Sequence, residues 1–275
     1  MTRFNLFDLF RHSTLILIGS LFLLPFFWMV ITSLKPEDEI FTNTLSIMPS
    51  NFSMYENYHT ALTQTPLIQF MINGVIVTIA IFLSQIVVAV PAAYALSKLE
   101  YYGKEVIFIA VVACLMIPPQ VVSIPWYLLM YKFGWLDTYE GLVAPFTISV
   151  FGIFLMRQFF NSVPTDLVSA ARMDGFSEFG IVWKIMVPTA IPALISFGVF
   201  SIVAHWNDYF WPLIVANSQE IYTPPLGVVA FKSDEAGDSY GPLMAAATII
   251  VAPLVICYLI AQKRFIEGIT MSGIK

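Results

Sequence analysis

Six long stretches of this chain contain no Asp, Glu, Lys or Arg: residues 13–34, 70–96, 106–131, 141–156, 185–207 and 241–262. A helix needs about 20 apolar residues to cross a bilayer, and five of these runs reach that length. The fourth, 141–156, is the shortest; extended through Thr138 and Tyr139, with Glu140 at its mouth, it becomes a span of 138–156. A transmembrane barrel would show ten-residue segments of alternating polarity, whereas these runs are continuously apolar. A helix satisfies its own backbone hydrogen bonds in lipid. Composition agrees: charged residues make up 11% of the chain, against about 25% in soluble domains. The expected fold is an all-α membrane protein with six transmembrane helices at about 13–34, 70–96, 106–131, 138–156, 185–207 and 241–262.

Charge sets the orientation, because cytoplasmic loops retain Lys and Arg. With both termini inside, the inner segments hold Arg3, Arg11, Lys98, Lys104, Arg157, Arg172, Lys184, Lys263, Arg264 and Lys275, and the outer ones only Lys35, Lys132 and Lys232. The net charge of −5 therefore reflects acids that lie mostly outside, namely Glu37, Asp38, Glu39, Glu56, Glu220, Asp234, Glu235 and Asp238, and gives no support to nucleic-acid binding. Arg3 and Arg11 would suit a signal peptide, but the run they precede is long and the 31–36 segment is a poor cleavage site, so an uncleaved first span is expected. Cys114 and Cys257 lie inside spans and read as small core residues with no disulfide framework.

No soluble domain is expected: the chain reads as one membrane domain, 1–275, with a cytoplasmic loop at 161–184 and a cytoplasmic tail at 263–275. The longest external segments, 35–69 and 216–240, are too short for cores of their own and read as caps or docking surfaces. Phe41, Met48, Phe52, Tyr55, Tyr58 and Leu62 suggest short elements over the outer face. Prolines interrupt the spans at Pro91, Pro118-Pro119, Pro125, Pro145, Pro192, Pro212 and Pro253. Each removes a backbone donor and bends or breaks a helix.

The chemistry that is missing narrows the function. There is no phosphate-binding Gly-x-x-x-x-Gly-Lys-Ser/Thr loop, so ATP hydrolysis by this chain is not expected. His12, His59 and His205 are far apart in sequence and form no metal-binding cluster with Cys, and no Gly-x-Ser-x-Gly turn occurs. Ion-coupled carriers use buried ionisable groups, and Asp208, near the outer end of the fifth span, is the sole candidate. The driving energy is expected to come from elsewhere.

The 157–184 loop is polar and organised. Ser162 is placed to cap a helix whose first turn contains Pro164 and Asp166. Gly175 suits its end, and Ser177 suits the cap of a second helix leading into the fifth span. Ala170 and Ala171 present little more than backbone, which allows another surface to approach closely; an amphipathic helix resting on lipid headgroups fits the same spacing.

At this loop the chain resembles permease subunits of ATP-binding-cassette importers, whose signature is Glu-Ala-Ala followed by Asp-Gly. Here the segment reads Leu167-Val-Ser-Ala-Ala-Arg-Met-Asp-Gly175, with Pro188 downstream. The likeness extends to Asn73, Ala93-Tyr-Ala-Leu96, Met116-Ile-Pro-Pro119, Gly134-Trp-Leu-Asp-Thr-Tyr139, Phe154-Leu-Met-Arg-Gln-Phe-Phe160, Trp206-Asn-Asp-Tyr-Phe-Trp-Pro-Leu213 and Phe265-Ile-Glu-Gly-Ile-Thr270. Together these resemble the smaller, maltose-permease-like subunit of the carbohydrate-uptake branch.

The resemblance implies a type I importer (MetI-like) permease fold in the bacterial inner membrane. It also implies a second, larger permease subunit, an ATPase dimer that binds the ATP and Mg, and an extracytoplasmic solute-binding protein. This chain would hold no cofactor and do no catalysis. By resemblance, Asp166, Ser169, Ala170, Ala171, Arg172, Asp174 and Gly175 form the ATPase-coupling loop, and the tail after Phe265 approaches the ATPase pair. Ser169 stands where the family has Glu, which removes a charge; Asp166 or Arg172 is the candidate to compensate. Substrate-path candidates are Gln120, Ser123 and Trp126 on the broken third span, and Asn207 and Asp208 at the end of the fifth. Against these stand a Trp as interfacial anchor and an Asn that bridges helices. A glycerol phosphate ester or polyamine importer, a stand-alone secondary transporter and a membrane-embedded enzyme are the alternatives.

Overall fold

The computed structural model describes residues 6–42, 46–229 and 239–271. Parts of the sequence reading lie outside them: Arg3, Lys232, the acids Asp234, Glu235 and Asp238, and the last four residues of the tail. By contacts the chain falls into two compact units, Met1–Ile68 with Val228–Ala252, and Gln69–Gly227 with Pro253–Lys275.

The first unit begins with α1 (Leu6–Thr32). Its apolar side chains are exposed on every side: Phe10, Leu17 and Phe22 each show about 70% of their surface. A helix apolar all round and left uncovered by the described residues over most of its length suits lipid or a partner rather than water. After α1 the chain tightens. Asn57, on α2 (Met54–Thr63), donates to Ser33 O at 3.0 Å and Lys35 O at 2.8 Å. Tyr58 Oη meets Ser33 Oγ at 3.1 Å. Lys35 is buried; its ammonium donates to Ser46 O and lies 5.1 Å from the Trp28 ring centroid. Among the described residues the expected short elements of this segment are α2 and a 3₁₀ turn at Glu37–Glu39.

The second unit is organised around α3 (Leu67–Lys98). Phe70, Asn73, Val77, Ile81, Gln85, Ala89, Ala93 and Leu96 recur every three or four residues and are all buried, which is one face of a helix. Pro91 lies inside α3 without ending it. Other prolines do break the chain. α4 (Lys104–Cys114) and α5 (Pro119–Phe133) meet at 96° across Pro118-Pro119. Pro118 is extended, ψ 134°, as a residue before proline must be. α6 (Tyr139–Val143) continues into a 3₁₀ turn containing Pro145, and α7 (Val150–Ser162) follows at 44°. α8 (Thr165–Met173) forms the polar loop.

α9 (Glu178–Ile181) then runs through a π-turn (Val182–Met186) into α10 (Val187–Thr189), and α11 (Ile191–Trp206) leaves at 83°. Pro188 has no N–H to return to Lys184, and the turn widens so that Val187 N bonds Val182 O instead. The fifth apolar run therefore divides at Ala190. α12 (Phe210–Val215) and α13 (Pro224–Val228) complete the block, and α14 (Tyr240–Met271) continues as helix beyond residue 262, where the apolar run stops.

By length and composition, α1, α3 and α14 are each long enough to cross a membrane, and each bent pair is as well, giving up to six. The cysteines depart from expectation. Cys114 and Cys257 are exposed rather than core.

Candidate functional site

α8 is the organised part of the polar loop, and its caps differ from the sequence reading at one end. Ser162 is the last residue of α7 and its hydroxyl returns to Phe159 O at 2.7 Å; Pro164 holds the cap position of α8, with no side-chain bond. The other end follows expectation. Gly175 has φ +84°, with Gly175 N bonded to Arg172 O and Phe176 N to Ala171 O, at 3.0 and 3.1 Å. This paired closure is what a left-handed glycine after a helix makes. Ser177 Oγ then caps α9 through Gly180 N at 3.2 Å.

The faces of α8 separate cleanly. Val168 and Ala171 are buried against Val90, Tyr94, Phe160 and Ile181. Asp166, Ser169, Ala170, Arg172, Met173, Asp174 and Gly175 are exposed, Met173 to 90%. Ala171 is therefore not part of the approachable surface; it is the residue by which α8 seats on its own scaffold. Ala170 and Ser169 lie on the open side.

Arg172 is not free to replace a missing acid. Its Nε and Nη2 donate to the two Glu178 oxygens at 2.7 and 3.2 Å, and Tyr94 Oη of α3 donates to Glu178 Oε2 at 2.5 Å. The Arg172 hydrogen bonds, then the one from Tyr94, hold the Glu178 carboxyl below the usual carboxylate range; the same pairing raises Arg172. Two further ties reach the end of α3. Arg157 Nε donates to Leu96 O at 2.9 Å, its Nη2 pairs with Glu105 at 3.2 Å, and its guanidinium carbon lies 3.6 Å from the Phe108 centroid. Lys98 Nζ donates to Val163 O at 2.5 Å. The last turn of α3 thus ties α7, α8 and α9 into one block. Glu178 escaped the sequence reading because it is six residues from Arg172 across a glycine turn, a spacing no helix pattern announces.

The second constellation is a cavity of about 230 Å³ at the start of α5 and the end of α11. It brings together Gln120, Ser123, Trp126 and Asp208, four of the five path candidates, and adds His205 and Trp211. Asn207 is not among its lining residues; its amide returns to Val203 O at 2.8 Å within its own helix. Trp126 packs edge-to-face on Trp211 and Phe146, at centroid distances of 5.8 and 5.7 Å. The Trp211 indole N–H is committed to Gly141 O at 2.9 Å. Asp208 Oδ1 caps α12 through Phe210 N and Trp211 N, at 3.0 and 3.3 Å.

Two motif residues act as structural pins beside it. Asp137, at φ +59°, accepts from Asn217 N and Ser218 N at 2.7 and 2.8 Å. Burial works against its charge, and these backbone bonds prevail to hold its carboxyl low. Asn73 donates to Glu220 O and Tyr222 O and accepts from Tyr139 and Gln69, so its hydrogen-bonding capacity is filled. Among the described residues no group of His, Cys, Asp and Glu is arranged to hold a metal ion.

Comparison with known proteins gives one answer throughout. The arabinooligosaccharides transport system permease protein AraQ of Bacillus subtilis (strain 168) is 30% identical over 99% of this chain and 98% of its own length. A probable starch degradation products transport system permease protein, AmyC of Thermoanaerobacterium thermosulfurigenes, is 33% identical over 94% of both chains. Among solved structures, a bacterial ABC transporter involved in the import of the acidic polysaccharide alginate matches with a TM-score of 0.82 and 24% identity, over 96% of this chain and 99% of that one; at that identity the likeness concerns the fold. Residues 85–270 match the family described as binding-protein-dependent transport system inner membrane component. This chain belongs to that family and is a membrane permease component of a binding-protein-dependent transport system.

Proposed function

We propose that the chain is one of two different permease subunits of an ATP-driven importer for a sugar, oligosaccharide or sugar derivative. It forms half of the translocation path and couples that path to an ATPase dimer through α8. The ATPase pair holds the ATP and Mg, an extracytoplasmic binding protein delivers the solute, and this chain performs no hydrolysis. The cytoplasmic tail approaches the ATPase pair.

One observation carries the coupling part. α8 keeps an open face of Asp166, Ser169, Ala170 and Met173, while its other face and Arg172 are fastened to α3, α7 and α9. A surface helix that only rested on headgroups would have no use for this mount. A docking helix does, since coupling between two sites needs an element that moves as a body. The sugar assignment is supported by relatives named for arabinooligosaccharides and starch degradation products, and by an aromatic cavity with a few polar groups. Gln120, Ser123, Trp126 and Asp208 are the path residues this favours; Asn207 is less favoured.

The test is an affinity pull-down from detergent-solubilised membranes, with mass spectrometry of what accompanies the chain. A cassette ATPase and a second, larger permease are the expected companions. Recovery of the chain alone, in a detergent that keeps known importers intact, overturns the proposal.

A further inference from the structure

The hydrogen bonds around His205 fix which of its nitrogens carries the proton. Gln85 Nε2 lies 2.9 Å from Phe146 O. A carbonyl oxygen only accepts, so that atom must be the amide nitrogen. Gln85 Oε1 then accepts from Ser201 Oγ at 2.7 Å, and the remaining amide hydrogen faces His205 Nε2 at 3.1 Å. Nε2 therefore accepts, and the proton of a neutral His205 sits on Nδ1. No described residue bonds Nδ1, and it is not among the buried polar atoms lacking a partner. The packing of Phe146 on the imidazole, 4.8 Å between centroids, holds the ring in place.

We infer that His205 Nδ1–H and Asp208 Oδ2 are the recognition pair of a subsite for one neutral carbohydrate ring, walled by Trp126. This rests on the carbohydrate-importer reading and narrows it. Both residues line the same cavity. Asp208 uses only Oδ1 to cap α12, so Oδ2 has no partner among the described residues. One fixed donor and one fixed acceptor match a polyol, whose hydroxyls both give and take hydrogen bonds. Among the described residues no Lys or Arg lines the cavity, so a uronate or phosphate ester would meet the Asp208 carboxyl with no compensating cation. A polyamine would meet an N–H donor and only one acid. A charge brought into such a site without a partner is strongly disfavoured.

The test uses the complete importer, purified in detergent with its partner subunits. Saturation-transfer NMR is recorded with maltotriose, glycerol 3-phosphate and spermidine as separate millimolar probes. Maltotriose is expected to take up saturation, and the two charged probes are not. His205→Gln keeps an acceptor toward Gln85 and loses the Nδ1 donor; it should weaken maltotriose binding about tenfold, the scale of one lost hydrogen bond. His205→Asn keeps a donor where Nδ1 stood and should bind closer to wild type, although it gives up the Gln85 contact. No maltotriose signal, equal binding by H205Q and wild type, weaker binding by H205N than by H205Q, or a stronger signal from either charged probe overturns the inference. An importer that hydrolyses ATP and takes up sugar while H205Q binds normally loses this subsite and keeps its function. A preparation without an ATPase loses the function itself.

Discussion

At the scale of single residues, neighbouring alanines are predicted to behave oppositely. Ala171 is 3% exposed within a packed cluster, so Ala171→Leu overfills the core and should cost about 1–3 kcal/mol, read as a lower melting temperature in detergent. Ala170 is exposed. Ala170→Trp should leave the melting temperature unchanged, yet reduce ATPase co-purification and uptake by about tenfold or more, because the open face of α8 no longer permits close approach. Glu178 brings a pH dependence. Its pKa is lowered in the folded chain, so its contribution is fully present above the ordinary carboxylate value and fades as pH falls through the lowered one. Both partners are nearly half exposed, so the contribution is small, about 1 kcal/mol or less. Glu178→Gln should flatten the acid side of the stability profile, and it should lower solute transported per ATP more than it lowers ATP hydrolysis.

At the scale of elements, breaks and caps were more legible than ties. Pro118-Pro119 and Pro192 could be read as interruptions because a missing N–H is a local fact, and the chain turns by 96° and 83° beside them. Gly175 and Ser177 were equally local. Ser162 misled because a serine before a proline suits a helix start as well as a helix end, and the hydroxyl that bonds Phe159 is decided by where α7 stops. The Tyr94–Glu178 and Gln85–His205 contacts join residues 84 and 120 positions apart, a distance over which no periodic pattern carries information. Asp137 is a third case. Its family motif was visible, but its hold on Asn217 and Ser218 was not. Asp137→Ala removes an acceptor from two backbone donors and places a Cβ-bearing residue of low tolerance at φ +59°. It should destabilise by about 2 kcal/mol. Asp137→Asn, which keeps an oxygen and tolerates the left-handed region, should lose less than half as much.

At the scale of the whole molecule, charge asymmetry predicts which side each segment faces. Single cysteines on a background lacking Cys114 and Cys257 test it. A thiol at Met173 should react with a membrane-impermeant maleimide only when the cytoplasmic side is exposed, and one at Glu37 only from the opposite side. The bent pairs carry a further consequence, which concerns how the chain is made. α4 has 11 residues and α5 has 15, about 16 and 22 Å of helix, and the hydrocarbon core is about 30 Å thick. Neither half can be handed to the bilayer as a spanning segment during synthesis. The ribosome must release both before the insertion machinery has a stretch worth committing, so the right-angled geometry belongs to a later stage than insertion. With Cys114 and Cys257 replaced and one cysteine placed in α4, a nascent chain truncated after residue 114 and extended by a polar linker that clears the exit tunnel should react with a water-soluble maleimide, and one truncated after Phe133 with the same linker should not.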